Sequence, residues 1–320
     1  MSFKPKSAYF VSAFFSFNTT SNMIRYIFTC LIIFIATIGY AQKKMILIQS
    51  DFGLKDGAVA EMKGVAMSID ETLKIFDLTH EIPAYNIWQA AYRLNQTLPY
   101  WPAGTIAVSI VDPGVGTNRK SIVAKTKKGH YIVTPDNGTI TLIAETEDIE
   151  AVREIDESIN RRSGSEKSYT FHGRDVYVFT AAKLASGAIT YEQVGPLLND
   201  FQKINYPICR IENGILKGNI PALDVQYGNV WTNISSMYLD QLQVKKGDLM
   251  QVLIRYNNEL AYTGKMPYCS SFGNVKKGQP LLYVNSLMQV SLALNQGDFS
   301  KTYHIDCGAE WDIEIRKVNQ

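Results

Sequence analysis

Three short apolar runs, each ending in a polar turn and separated by helical patterning, constrain this chain more than any other feature. Residues 45–50 end at Asp51-Phe52-Gly53, residues 73–78 at Thr79-His80-Glu81, and residues 105–111 at Asp112-Pro113-Gly114-Val115-Gly116. Apolar runs of this length, bounded by turn residues, read as buried strands. Between the first two, residues 55–69 place Val59, Met62, Val65 and Met67 at spacings that predict one buried helical face. Before the third, Asn86 is positioned to cap a helix from Ile87 to about Leu98. Strand and helix alternating at this pace predict an α/β fold with a mostly parallel sheet covered on both faces. In such sheets ligands bind beyond the strand ends, which puts Asp51 and Asp112 where chemistry is expected.

The pattern continues and then changes. Residues 121–125 and 131–134 read as a hairpin around Lys127-Lys128-Gly129, followed by a helix near 139–145. An irregular polar stretch at 158–168 leads to Phe171-His172-Gly173-Arg174-Asp175, and a helix rich in Val, Phe and Ala runs to Ala185 and stops at Gly187. Beyond residue 207 the signals are short strands at 208–211, 214–225, 230–233, 249–256, 281–284 and 289–292, with one clear helix at 237–243. The expected layout is a leader (1–42), an α/β domain (43–200), a linker (201–207) and a mainly β C-terminal domain (208–320).

With 32 basic against 30 acidic residues, a net charge of +2 and no long charge run, the chain offers nucleic acid no basic surface. Its beginning is different in kind. Ile24-Arg25-Tyr26, a short apolar run from Ile27 to Ile38, and Gly39-Tyr40-Ala41-Gln42 have the order of a secretory signal cleaved after Ala41, with Met23 as an alternative start. The expectation is export to a periplasmic or extracellular space; a leader that is not functional would leave the protein cytoplasmic, and an uncleaved one would anchor it. Removing Cys30 with the leader leaves Cys209, Cys269 and Cys307, without metal-ligand spacing and best read as buried thiols.

Asp51 and Asp112 stand at strand ends without any Gly-x-Gly-x-x-Gly or Walker sequence nearby. A carboxylate there suits a ribose diol, and the missing phosphate cradle points to a nucleoside-type ligand without a pyrophosphate. Asp112, Arg119 and His172 brought together could hold and polarise a water. The guanidinium would offset developing negative charge, while carboxylate and imidazole orient the water and accept its proton. In the C-terminal half, the stretch from Asp224 to Asn233 could present an acceptor and an amide to an amino-acid-like group, although Tyr227-Gly228-Asn229 is also good hairpin-turn chemistry.

Taken together these residues resemble the S-adenosylmethionine hydroxide adenosyltransferase family, which includes a fluorinase and a chlorinase that attack the same substrate with halide. The matching pieces are Ser50-Asp51-Phe52-Gly53, Thr79-His80-Glu81-Ile82-Pro83, Val111-Asp112-Pro113-Gly114-Val115-Gly116 with Arg119, and Pro135-Asp136-Asn137-Gly138. They continue with Phe171-His172-Gly173-Arg174-Asp175, the run from Tyr227 to Asn233, and Asn285-Ser286. The set occurs in family order from about Met45 to the C-terminus. The resemblance implies a homotrimer with sites between neighbouring subunits, no cofactor and no metal, and a reaction in which water displaces L-methionine from C5′ of S-adenosyl-L-methionine to give adenosine. By that resemblance Asp112, Arg119 and His172 are the water-activating triad and Asp51 holds the ribose. Tyr85 lies along the sugar, Asp224, Asn229 and Ser286 hold the methionine or ribose side, Phe272 stacks on adenine, and Asp56 matches a substrate contact loosely.

The departures separate the relatives. The halogenases have Tyr and Thr where this chain has Asp112 and Val115, Tyr-Ser where it has His172-Gly173, and an insertion absent at Lys127-Lys128-Gly129. An anionic Asp112 would repel halide, so the expected nucleophile is water. Leu287 and Ser291 also depart from residues common at their positions. The rival readings are a halide-using relative and an exported nucleoside-binding protein without turnover.

Overall fold

Strand β1 (Ile46–Ser50) is buried along its whole length and forms the spine of the N-terminal half. It pairs in parallel with β2 (Ile75–Thr79) on one side and β3 (Ile106–Ile110) on the other. The structure, a computed structural model, describes residues 44–318. The expected leader, its cleavage near Ala41, the alternative start at Met23 and Cys30 lie outside the described residues.

The N-terminal sheet has seven strands in the order β2-β1-β3-β5-β4-β6-β7, adding β4 (Ser121–Thr126), β5 (Tyr131–Pro135), β6 (Ile149–Glu154) and β7 (Leu197–Leu198). β5 is parallel to β3, whereas β4 is antiparallel to both β5 and β6, and β7 to β6. β4 and β7 therefore oppose the other strands in a mixed, mostly parallel α/β sheet. Helices cover both faces. Ala58–Ile69 and Phe179–Ser186 close one core over Ile46, Ile48, Val108 and Ile110. Ile87–Thr97 and Thr141–Glu147 close the other, where Leu94 and Ile143 meet Ala107 and Ile122. Asn86 caps its helix as expected, Oδ1 accepting the Gln89 N–H at 2.9 Å. The first helix buries Val59, Met62, Val65 and Ala66 and leaves Met67 half exposed. Met67 is the position that breaks a strict 3.6-residue stripe.

The C-terminal half is mainly β. A five-stranded antiparallel sheet runs β13 (Glu259–Pro267), β12 (Leu249–Tyr256), β16 (Gly308–Lys317), β9 (Ile215–Ile220), β8 (Arg210–Glu212). A four-stranded one runs β10 (Ala222–Asp224), β11 (Asn229–Ser235), β15 (Gln289–Leu294), β14 (Pro280–Val284). Their facing sides supply one core, with Leu216, Val252 and Ile315 from the first meeting Val230, Ile234 and Leu292 from the second. The expected strand over 214–225 is two strands split at Pro221, whose missing N–H interrupts a ladder. β13 and β16 were not anticipated from the sequence.

The helix Ile87–Thr97 joins the halves. Trp88 Nε1 donates to the Pro221 carbonyl at 2.8 Å and Arg93 Nη2 to that of Leu223 at 2.9 Å. Leu287 packs with Tyr92, Leu142 and Ala222 at the same junction. Among the described residues the cysteines are free, Cys269 buried and Cys209 and Cys307 half-buried.

Candidate active site

The loop after β3 folds back on itself so that Arg119 reaches the carboxylate at the strand end. Gly114 allows this: a Cβ there would lie 3.0 Å from Arg119 Cγ, so a side chain would push the guanidinium's stem away. Gly116, at φ +77°, takes a left-handed conformation with the Tyr169 carbonyl 3.1 Å from where its Cβ would be. Asn137, from the Pro135-Asp136-Asn137-Gly138 turn, donates to the Val111 carbonyl at 2.9 Å and fixes the backbone just before Asp112.

Asp112 and Arg119 form a two-pronged ion pair. Nε lies 2.8 Å from Oδ1 and Nη2 2.6 Å from Oδ2, with side-chain exposures of 7% for Asp112 and 12% for Arg119. Burial, the largest single influence, lowers the guanidinium pKa, but the hydrogen bond to Asp112 together with the nearby Tyr177, Asp112 and Glu157 holds Arg119 above its ordinary value. Nη1 donates to Ser121 Oγ at 2.8 Å, and Nη2 also lies 2.6 Å from His172 Nδ1. The three residues expected to act on water are therefore in contact.

His172 opens a π-helix, Gly173–Val178, that continues as the α-helix Phe179–Ser186. A π-turn bonds i to i+5 and so brings residues five apart to one side. Here it presents Tyr177 beside His172, ring centroids 6.4 Å apart, and Tyr177 Oη donates to Asp112 Oδ2 at 3.0 Å. Burial pushes the Tyr177 phenol well above its usual range, so it remains a donor to the carboxylate. Arg174 and Asp175 of the same motif pair with each other, Arg174 reaching on to Glu61. Asp175 is fully buried, and this pair anchors the helix rather than lining a cavity.

Asp51 stands across the cavity. Its Oδ2 accepts the Tyr85 N–H at 2.8 Å, and Tyr85 sits at φ +67° with most of its ring exposed. Beside it a relay runs from the buried Ser50 and His80 out to the exposed Asp77: Ser50 Oγ lies 2.7 Å from His80 Nδ1, and His80 Nε2 lies 3.1 Å from Asp77 Oδ1. With Gly53 N–H donating to the His80 carbonyl at 2.7 Å, the loops after β1 and β2 are laced together. Asp51, Tyr85, Asp112 and His172, with Phe52 and Phe171, line a cavity of about 270 Å³, and Arg119 lies behind Asp112.

The remaining expected residues form a second group. Asp224, Asn229, Phe272 and Ser286 line a cavity of about 870 Å³ in the C-terminal half. Asn229 Nδ2 donates to Asp224 Oδ2 at 3.1 Å, and Phe272 packs on Tyr283 at 4.9 Å between centroids. Asn285, in the same lining, uses Oδ1 to accept the N–H groups of Leu287 and Gln289 at 2.9 and 3.1 Å, leaving its buried Nδ2 without a partner in the chain. Asp56 belongs to neither group; exposed, it accepts the Ala58 N–H at 2.9 Å at the start of the first helix. Small-molecule pockets run to roughly 300–1,000 Å³, so the first cavity is small for a whole ligand and the second is not.

Sequence reasoning missed Tyr177, Ser121 and Arg161. Tyr177 was hidden inside an apolar helical run. Arg161, whose Nη2 lies 2.6 Å from His172 Nε2, was hidden in a stretch read as irregular. The only signal for it was Glu157 four residues earlier, the spacing of a helical ion pair.

Fold and site together define an α/β enzyme with a β-rich C-terminal domain and a carboxylate–guanidinium–imidazole cluster at a strand end. Residues 46–195 match the SAM hydroxide adenosyltransferase N-terminal domain and residues 218–312 the C-terminal domain of the same family. The chain belongs to the SAM hydroxide adenosyltransferase family. It is 32% identical over 273 residues to an (R)-S-adenosyl-L-methionine hydrolase of Methanocaldococcus jannaschii, covering 84% of this chain and 95% of that protein. A fluorinase of Actinopolyspora mzabensis is 25% identical over 292 residues, covering 83% of this chain and 95% of the fluorinase. A crystal structure of an uncharacterized conserved protein from Thermotoga maritima superposes with a TM-score of 0.78 at 33% identity, covering 85% of this chain and all of that one.

Proposed function

We propose that this enzyme hydrolyses S-adenosyl-L-methionine by attack of water on C5′, giving adenosine and L-methionine. The observation that carries the reading is the buried Asp112–Arg119–His172 contact beside Asp51 in one cavity. An oxygen–C5′ bond forms as the C5′–sulfur bond breaks, the electron pair staying on sulfur as the sulfonium becomes a neutral thioether. The leaving group needs no proton. The water does lose one, and the Asp112 carboxylate is the acceptor, with Arg119 behind it and a neutral His172 beside it shaping the charge around the developing hydroxide. Most of the remaining rate comes from aligning water with the C5′–S bond and excluding bulk solvent. An anionic Asp112 disfavours halide at the same place.

Asp51 would take the ribose diol, with Tyr85 along the sugar. Phe272 would stack on adenine, and Asp224, Asn229 and Ser286 would hold the polar groups of the remainder. The division of these residues between two cavities supports a homotrimer in which the N-terminal cavity of one subunit meets the C-terminal cavity of its neighbour. The leader further supports export, with the mature chain beginning near Gln42. No cofactor or metal enters this reaction.

The deciding experiment incubates the protein with S-adenosyl-L-methionine in ¹⁸O-water, with and without chloride. Adenosine carrying ¹⁸O at its 5′ oxygen, equal in amount to methionine and independent of chloride, is the expected result. A chlorinated nucleoside would establish the halide-using reaction instead, and substrate retained without product would establish a binding protein. N-terminal determination on exported protein tests the leader, and light scattering the trimer.

A further inference from the structure

Arg161 closes the short helix Glu157–Asn160, and its guanidinium is nearly as buried as the triad, at 7% side-chain exposure. Glu157 holds it through Nε at 2.9 Å and Nη2 at 2.6 Å, and it stacks over Tyr169 at 4.7 Å. The same Nη2 lies 2.6 Å from His172 Nε2, while Arg119 Nη2 lies 2.6 Å from Nδ1. Both ring nitrogens thus face guanidinium donors.

A neutral imidazole has one N–H and one lone pair. Either tautomer accepts one of these donors and sets its own N–H against the other. Protonation would set N–H against N–H on both sides and add a third positive charge. We propose that Arg161, anchored by Glu157, is a positioning residue that holds His172 as an uncharged imidazole, so that the cluster around Asp112 and Arg119 gains no third positive charge. The proposal rests on the hydrolytic reading above. It gives that reading a reason for the second arginine: an imidazolium would place like charge near the substrate's sulfonium and compete with Arg119 for the Asp112 carboxylate.

The groups facing the ring are Arg119 and Asp112 from the loop after β3, Arg161 and Glu157 from the short helix, and the rings of Tyr169 and Tyr177. Burial lowers the imidazole pKa most, then Arg119; Glu157 opposes, Arg161 lowers it again, and Asp112 opposes. The sum is downward, so His172 stays neutral further into acid than an ordinary histidine.

The test is an NMR titration of histidine side chains in the full protein, with the His172 signal identified by its loss in His172→Asn. The wild-type midpoint should lie below the ordinary value of about 6.5. In Arg161→Gln it should move up, since a cation is lost and Glu157 remains 3.9 Å from Nε2. In Glu157→Gln it should move down, since two guanidinium groups are then left with less compensation. An unchanged midpoint in Arg161→Gln, or an upward one in Glu157→Gln, overturns the proposal; the second variant keeps the test open if the first fails to fold. In turnover, the acid limb of kcat should move to higher pH in Arg161→Gln, falling roughly tenfold per pH unit below the midpoint with KM little changed. An unmoved limb also overturns it. Absence of adenosine from wild type would refute the hydrolytic reading alone, and the titration would still decide what Arg161 does to His172.

Discussion

The cavity at the end of β3 and the cavity in the C-terminal sandwich are made from different materials. The first is small and backed by charge: the carboxylates of Asp51 and Asp112 and the His172 imidazole line it, and the guanidinium groups of Arg119 and Arg161 lie behind them. The second is about three times larger and lined by aromatic rings, amides and the carboxylates of Asp224 and Asp298, with a buried amide N–H of Asn285 left over. A rigid charged cluster can stabilise a changing charge because its dipoles need no reorganisation. A roomy aromatic and amide surface recognises shape and hydrogen-bond pattern. On the proposed hydrolytic reading, chemistry falls to the first cavity and recognition to the second, and kinetic constants can separate the two.

The largest effect should come from Asp112→Asn. It removes the charge that meets Arg119 and the water's developing proton, so kcat should fall by about 10² to 10⁴-fold with little change in KM. Adenosine release measured over a range of substrate concentrations checks this, and a change mainly in KM would erase the contrast between the cavities. Arg119→Met makes the complementary point on stability. It leaves a carboxylate that is 7% exposed without its partner, a loss of about 3–5 kcal/mol readable in urea unfolding.

Phe272→Ala belongs to the other side. Base–aromatic stacking is worth about 1–3 kcal/mol, so KM should rise roughly 5- to 150-fold while kcat changes little. A fall in kcat without a rise in KM would place Phe272 in the chemistry and break the division. His80→Gln should fall between these cases. It cuts the Ser50–His80–Asp77 relay beneath Asp51, leaving a buried hydroxyl with a poorer partner at a cost of about 1–3 kcal/mol. Because the relay steadies the strand end that carries Asp51, KM should rise more than kcat falls.

The two regions also differed in how much the sequence disclosed. In the N-terminal half, strand-end carboxylates, turn glycines and the Asn86 cap are local signals, and the structure places them where they were read. In the C-terminal half the residues alone offered only an acceptor and an amide at Asp224 and Asn229, at the two ends of a tight β-hairpin turn, and Ser286 and Phe272 were legible only through the family resemblance. β16 is an instructive miss. Trp311, Ile313 and Ile315 alternate with charged residues in a period of two, a plain strand signal, yet the strand pairs with β12 and β9 from distant parts of the chain. β13 could not have been read so easily: it is largely exposed, and its inward positions, Tyr262, Gly264 and Met266, include a glycine that breaks the apolar alternation. Tyr177 was invisible for a geometric reason. Only a π-turn puts it beside His172, and no residue pattern announces one.

Asp56 gives the smallest effect and the sharpest use of the comparison. Family position suggests a substrate contact, whereas in this chain its carboxylate accepts the Ala58 N–H and lines neither cavity. If that local turn, just before the cap position Gly57, is its whole role, Asp56→Ala should cost about 0.5–1.5 kcal/mol of stability, the worth of one hydrogen bond. Both kcat and KM should stay at wild-type values. A raised KM at unchanged stability would mean that Asp56 meets substrate only when a neighbouring subunit's C-terminal cavity closes on this face. Either result says where the recognition surface ends and the charged cluster begins.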